Sequence, residues 1–288
     1  MNPAPSTRVA GSCAVVRPRR PGRYALGLAV ISVPLVLAVL GPVFAGDPGT
    51  RAASFTLGDG HWFGTDFVGR DVGRQVLLGG RPVVLTALAA TALAYLVALP
   101  LGLIAALTHR RWLEETLMRP LDVVLAVPSL LLILLVASVL TPGAVGLALL
   151  VALVNVPDAA RMVRAAAAEA AARPAVEALR MQGETWWRTA VGYVGRSILR
   201  TLAADAGTRL TGVLYLVATA AFLGVGVAPD AADWAVMVDR NRTGLYVQPW
   251  AVVVPALLIV ALTTGSNLLC DAALHKPGGR RGEREPRP

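Results

Sequence analysis

The sequence predicts an all-α, polytopic membrane protein with six transmembrane helices. Three observations predict it. Of 288 residues, 55% are hydrophobic and only 16% are charged, against about 25% charged in soluble domains. The mean hydropathy is +0.60, and a water-soluble globule of that composition would expose large apolar patches. The apolar residues also gather into runs close to the roughly 20 residues a helix needs to cross a bilayer. The same numbers exclude intrinsic disorder, and two cysteines exclude a disulfide scaffold. His61, His109 and His275 are too widely spaced to suggest a His-built metal site.

Tyr24–Ala45 and Val83–Leu107 contain no charged residue and form the first two predicted spans. The third is Val123–Leu140, with Arg119 and Asp122 expected in its first turn. Gly143–Pro157 is shorter and is expected to continue as helix past Asp158 and Arg161. Leu210–Val227 and Trp250–Cys270 complete the set. Pro34, Pro100, Pro128 and Pro255 fall inside these runs. A soluble helix would lose about 3 kcal/mol at each, whereas membrane helices re-satisfy the freed carbonyls through their neighbours. The first run follows Arg19-Arg20 but exceeds a signal-peptide core of about 7–15 residues, so it is read as a retained span.

Arginine placement sets the expected orientation. With the N-terminus in the cytoplasm, 20 basic residues fall in cytoplasmic segments and 6 outside, leaving Arg209 between them. Both termini are therefore expected in the cytoplasm, and the chain in the plasma membrane. The net charge of +9 is explained by this bias rather than by nucleic-acid binding. The predicted organisation is a basic tail over 1–23, a first span over 24–45 and an extracytoplasmic segment over 46–81. A five-helix core follows over 82–275, with a cytoplasmic segment at 164–200, and a basic tail over 276–288 ends the chain. Cys13 and Cys270 are expected on the cytoplasmic side, reduced and unpaired.

Three connecting segments carry information. In the first, Asp66, Arg70 and Asp71 alternate in sign near the mouth of the second span, a pattern that fits a local salt bridge. The second, Arg164–Arg200, is Ala-rich, is interrupted by Pro174, resumes over Ala175–Gln182 and stops at Gly183. It reads as helix, glycine stop and second short helix. A plain connection would not need about 35 residues. Trp186 and Trp187 place apolar bulk there, which calls for the bilayer interface or a partner. The third, Ala228–Pro249, has Trp234 within it and Trp250 just after it, near the predicted interface. Asp205 and Arg209 stand four apart on one helix face, placed to pair with each other.

No catalytic set is visible: there is no glycine-rich phosphate loop and no Ser/His/Asp arrangement with a plausible base. Intramembrane charges of the kind that ion-coupled carriers use are nearly absent. That weighs against the alternative of a solitary secondary transporter or channel. A membrane-anchoring subunit is disfavoured because there is no soluble domain to anchor.

The motifs resemble the second, six-span permease subunit of the dipeptide/oligopeptide/nickel ABC importers. They are Gly64-Thr65-Asp66, Gly69-Arg70-Asp71-Val72, Leu121-Asp122-Val123 through Ala126-Val127-Pro128-Ser129, and Ala160-Arg161-Met162-Val163-Arg164. Val176-Glu177-Ala178 with Gly183, Phe222-Leu223-Gly224-Val225-Gly226, and Asn267-Leu268-Leu269 with Asp271 continue the series. The resemblance covers about residues 62 to 275. It implies that Glu177, Ala178 and Gly183 belong to a short helix docking on an ATPase subunit. Asp66, Arg70, Asp71, Asp122 and Pro128 are the structural or gating candidates. The implied partners are a homologous second permease, two ATP-binding subunits and an extracytoplasmic substrate-binding protein, all at the lipid bilayer. Neither cofactor nor metal is implied. Two departures stand out: Leu179 replaces the family's alanine, and Gly195-Arg196 stands where Leu-Pro is usual.

Overall fold

The computed structural model describes residues 22–47, 51–58, 60–61, 63–108 and 110–274. Both basic tails beyond these limits, with Cys13, His109 and His275, lie outside the described residues. Among the described residues there are nine α-helices and no strand: α1 (Gly22–Phe44), α2 (Val72–Leu107), α3 (Arg111–Ala126), α4 (Ser129–Leu140), α5 (Ala144–Ala171), α6 (Pro174–Met181), α7 (Arg196–Phe222), α8 (Trp234–Asn241) and α9 (Trp250–Leu274). Helices α1, α2, α5 and α9 are long and apolar enough to cross a membrane, and α3 with α4 makes a fifth candidate bent by 87°. Helix α7 is long enough but carries Arg200, Asp205 and Arg209, and it is not among those candidates.

Three boundaries differ from those predicted. Helix α2 starts at Val72 rather than Val83, because the Asp71 carboxylate caps it, accepting from the N–H groups of Gly73 (2.7 Å) and Arg74 (3.4 Å). Arg74 and Arg81, placed by the sequence in the extracytoplasmic segment over 46–81, are thus helical. The third span is not one helix. Pro128 forces Val127 into extended backbone (φ −98°, ψ 130°) and brings no N–H of its own, so α3 stops at Ala126 and α4 restarts at Ser129. Arg119 and Asp122 consequently sit within α3, not in the first turn of a straight span. Helix α7, which holds the fifth predicted span, begins at Arg196, well before Leu210, and is preceded by a π-helical stretch, Arg188–Gly195.

The core is a seam of small side chains. Ala87, Ala90, Ala94 and Ala98 recur on one face of α2 and are fully buried. Ala94 joins Ala152 and Val156 of α5, and Ala98 joins Ala159 and Ala160. Without a hydrophobic drive inside lipid, such seams hold helices by close backbone approach. Gly102 continues the seam, since a Cβ there would lie 2.6 Å from Val163 Cγ1. Trp234 of α8 is also fully buried; it lies against Gly79 and Gly80 and donates its indole N–H to the Val76 carbonyl at 2.8 Å. Helix α1 packs on α9 and α2 at the edge of this assembly.

Candidate functional site

The connection from α5 to α7 keeps the predicted helix and glycine stop, but the second short helix is not separate: the chain after Gly183 runs through the π-helical Arg188–Gly195 directly into α7. The Ala-rich run ends α5 at Ala171, and Pro174 opens α6 at the one place where its missing N–H costs nothing. Helix α6 is closed by a paired cap: the Gly183 N–H donates to the Arg180 carbonyl and the Glu184 N–H to the Leu179 carbonyl, each at 3.1 Å. This Schellman arrangement needs a left-handed residue, and Gly183 supplies it at φ +76°. Val176 alone of α6 is buried, against Val163, Ala167, Ala190 and Val194. Glu177 and Gly183 are exposed, and Ala178 and Leu179 are half-buried. Glu177 has no ion pair among the described residues, not even with Arg180. Next to α6, Met181, Trp186 and Trp187 are exposed, and the two indoles meet edge to face at 4.8 Å.

At the α3–α4 break lies an open cleft of about 240 Å³, walled by Val124, Pro128, Ser129, Asn155, Asp158 and Leu216 among others. Pro128 therefore shapes it directly. Asp122 stands beside it and bridges α3 to α5 through Arg161, at 2.5 Å. Glu114 bridges the same two helices through Arg164.

Asp66, Arg70 and Asp71 occupy another place, the loop between α1 and α2. Asp66 is almost fully buried; it accepts from the N–H groups of Val68 (2.9 Å) and Arg70 (2.8 Å) and from Arg70 Nε (3.0 Å). Arg70 also donates to the Asp230 carbonyl at 2.8 Å. Asp71 caps α2 and lies 3.2 Å from His61 Nδ1. The predicted site residues thus form three separate groups: α6 with its cap, the α3–α4 break and the α1–α2 loop.

Residues 98–274 match the family described as binding-protein-dependent transport system inner membrane components. The chain belongs to this family. It is a permease subunit of an ABC importer, of the peptide-importer kind. It is 30% identical over 211 residues to the probable D,D-dipeptide transport system permease protein DdpC of Escherichia coli, covering 73% of this chain and 70% of that one. It is 27% identical over 252 residues to the dipeptide transport system permease protein DppC of Alkalihalophilus pseudofirmus, covering 85% and 82%. Its fold is similar to a chain of the MetNI methionine ABC transporter in an inward-facing conformation, with TM-score 0.54 and 16% identity, over 68% of this chain and 94% of that one.

Sequence spacing anticipates one polar feature of the permease and misses others. The Asp205–Arg209 pair is present, at 3.1 Å, but it lies well inside α7 and the Tyr95 hydroxyl of α2 also binds Asp205. Asp122–Arg161 and Glu114–Arg164 join residues so far apart in sequence that no local spacing announces them. Asp233, which caps α8 through the N–H groups of Ala235 and Val236, is buried. Burial pushes its carboxyl up to about 6, against the two hydrogen bonds that favour the charged form. The one signal for it was position: an Asp immediately before the apolar run Trp234-Ala235-Val236 is a helix-start pattern.

Proposed function

We propose that this permease imports peptides and transmits the work of ATP hydrolysis through α6. In this reading a substrate-binding protein delivers the peptide from outside. The permease and a homologous second permease enclose the passage, and two ATP-binding subunits dock below. The chain performs no bond chemistry. Both termini are cytoplasmic, as the arginine distribution favours. The observation that carries the reading is the build of α6: a short helix held to the bundle by Val176, with Glu177 unpaired and outward and Gly183 at φ +76° turning the chain sharply away. Such a knob suits a groove on a partner subunit. Named relatives that transport dipeptides support the solute class. Asp122 and Pro128 fit a gating role at the α3–α4 break, and Asp66, Arg70 and Asp71 a structural one that holds the outer mouth. Leu179 and Gly195-Arg196 modify the docking face without removing it.

The test is co-purification of the ATP-binding subunits with wild-type and Glu177→Ala permease, alongside peptide-stimulated ATP hydrolysis in liposomes. A charged hydrogen bond to a partner contributes about 1.5–3 kcal/mol, so association should weaken roughly tenfold or more while membrane insertion is unchanged. Unchanged association and stimulation would leave Glu177 as solvated surface. If no ATP-binding subunit accompanies the wild type, the coupling role fails.

A further inference from the structure

Two rungs of ion pairs run along the α3–α5 seam, Glu114–Arg164 and Asp122–Arg161. One turn further along α5 comes Asp158, and there the ladder stops. Asp158 is exposed and has no ion pair or hydrogen-bond partner among the described residues. It follows an apolar stretch of a helix that is itself a membrane-span candidate. Arg161, the nearest cation along the helix, is already engaged by Asp122. A lone carboxylate in such a helix is costly to keep without a purpose.

Asp158 lines the cleft at the α3–α4 break. The other polar groups there are acceptors or neutral. Asn155 spends one N–H of its amide on the Val151 carbonyl at 2.8 Å, leaving its oxygen to accept and its second N–H to donate. Ser129 adds a hydroxyl, and Pro128 has no N–H to offer. The end of α3 and the start of α4 meet at this break. They carry opposite partial charges of about half a unit each, which cancel to first order. The net charge of the cleft is therefore that of Asp158. Val124, Leu125, Val127, Val154 and Leu216 make the rest of the wall apolar, so no other charge on the cleft wall competes with that of Asp158.

We propose that this cleft is a cation-selective station on the solute pathway, at which Asp158 and the Asn155 oxygen receive a protonated amine of the passing peptide. The inference rests on the importer reading for its solute, but the charge preference of the cleft stands or falls separately. Selection by charge then lies partly in the permease itself and not only in the protein that delivers the solute.

Two measurements on the complete transporter test it. In the first, Cys13 and Cys270 are replaced by alanine and Ser129→Cys is introduced. Its modification by cationic and anionic methanethiosulfonates is followed by the mass of this chain. The cationic reagent should be favoured, and Asp158→Asn should reduce that preference about tenfold, while Asp158→Glu should retain it. An unchanged preference in Asp158→Asn overturns the proposal. In the second, uptake of trialanine is compared with that of N-acetyltrialanine, which lacks the cationic amine. Asp158→Asn should lower trialanine uptake about tenfold and leave the acetylated peptide unaffected. Equal loss of both, or loss of neither, overturns the proposal. If the wild type carries neither peptide, the peptide reading fails and the modification rates alone decide whether the cleft prefers cations.

Discussion

Two glycines of nearly the same conformation mark the contrast between the α1–α2 loop and the α6 segment. Gly69 has φ +78° and Gly183 has φ +76°. A Cβ at Gly69 would stand 1.9 Å from the Ala52 carbonyl oxygen, whereas nothing lies within 4 Å of one at Gly183. The loop is closed on itself and on α8. Asp66 is buried among three donors, the Phe67 N–H reaches Asn241 at 2.9 Å, and Gln248 accepts from the Ala251 N–H and donates back to the Phe63 carbonyl. The α6 segment satisfies its own backbone, buries Val176 and leaves Glu177, Arg180 and Met181 outward. Similar residues therefore serve opposite ends: in one region polar groups are used up inside the chain, in the other they are left over for something else.

The contrast predicts a graded set of outcomes. Gly69→Val suffers both the left-handed backbone, about 1–2 kcal/mol, and a collision with main chain that nothing relieves. Folded protein should be lost, read as the absence of a monodisperse peak on size exclusion in detergent. Asp66→Ala leaves the Arg70 guanidinium with only the Asp230 carbonyl and removes the acceptor of two part-buried N–H groups; it should destabilise by about 3 kcal/mol, seen as a lower midpoint of thermal unfolding. Asp233 belongs to the same closed region. Its carboxyl is raised in the folded state from 3.8 to about 6, so the folded chain binds the proton more tightly than the unfolded one. Its contribution is present below pH 4 and is lost as pH rises through about 6. Asp233→Asn keeps a capping side chain and should flatten that slope of stability between those limits. A slope identical to wild type would place the titration elsewhere. The smallest effect on folding is expected at Gly183→Val, about 1–2 kcal/mol confined to the α6 cap. Insertion should survive while peptide uptake falls. Normal uptake would break the comparison, since the open region would then have no task beyond connection.

Much of the open region was legible in the sequence because its signals are local. Proline at the start of α6, glycine past its end and Glu177 between them sit within one short window. The Asp66–Arg70 and Asp205–Arg209 pairs were legible for the same reason, each being four residues apart. What the sequence concealed depends on separation or on competing signals. Arg74 and Arg81 masked the first turns of α2, because charge in an apolar run reads as loop until the Asp71 cap is seen. The run Val123–Leu140 reads through Pro128 as one span, since membrane helices tolerate proline, and only tertiary packing decides between a kink and an 87° break. Asp158 stands just past the predicted span Gly143–Pro157, in a helix expected to continue beyond it. Its isolation became visible only when Arg161 was found committed to α3.

The Trp186–Trp187 pair gives this surface an optical signature. Two indoles held at 4.8 Å with their planes 84° apart couple their excited states, so the pair contributes a split band to the far-ultraviolet circular dichroism. Trp187 is 69% exposed, in contrast to the fully buried indole of Trp234. A subunit covering α6 and its flank would dry the pair, shift its emission to the blue and alter the split band. Docking on this face can thus be followed with no label attached to the protein.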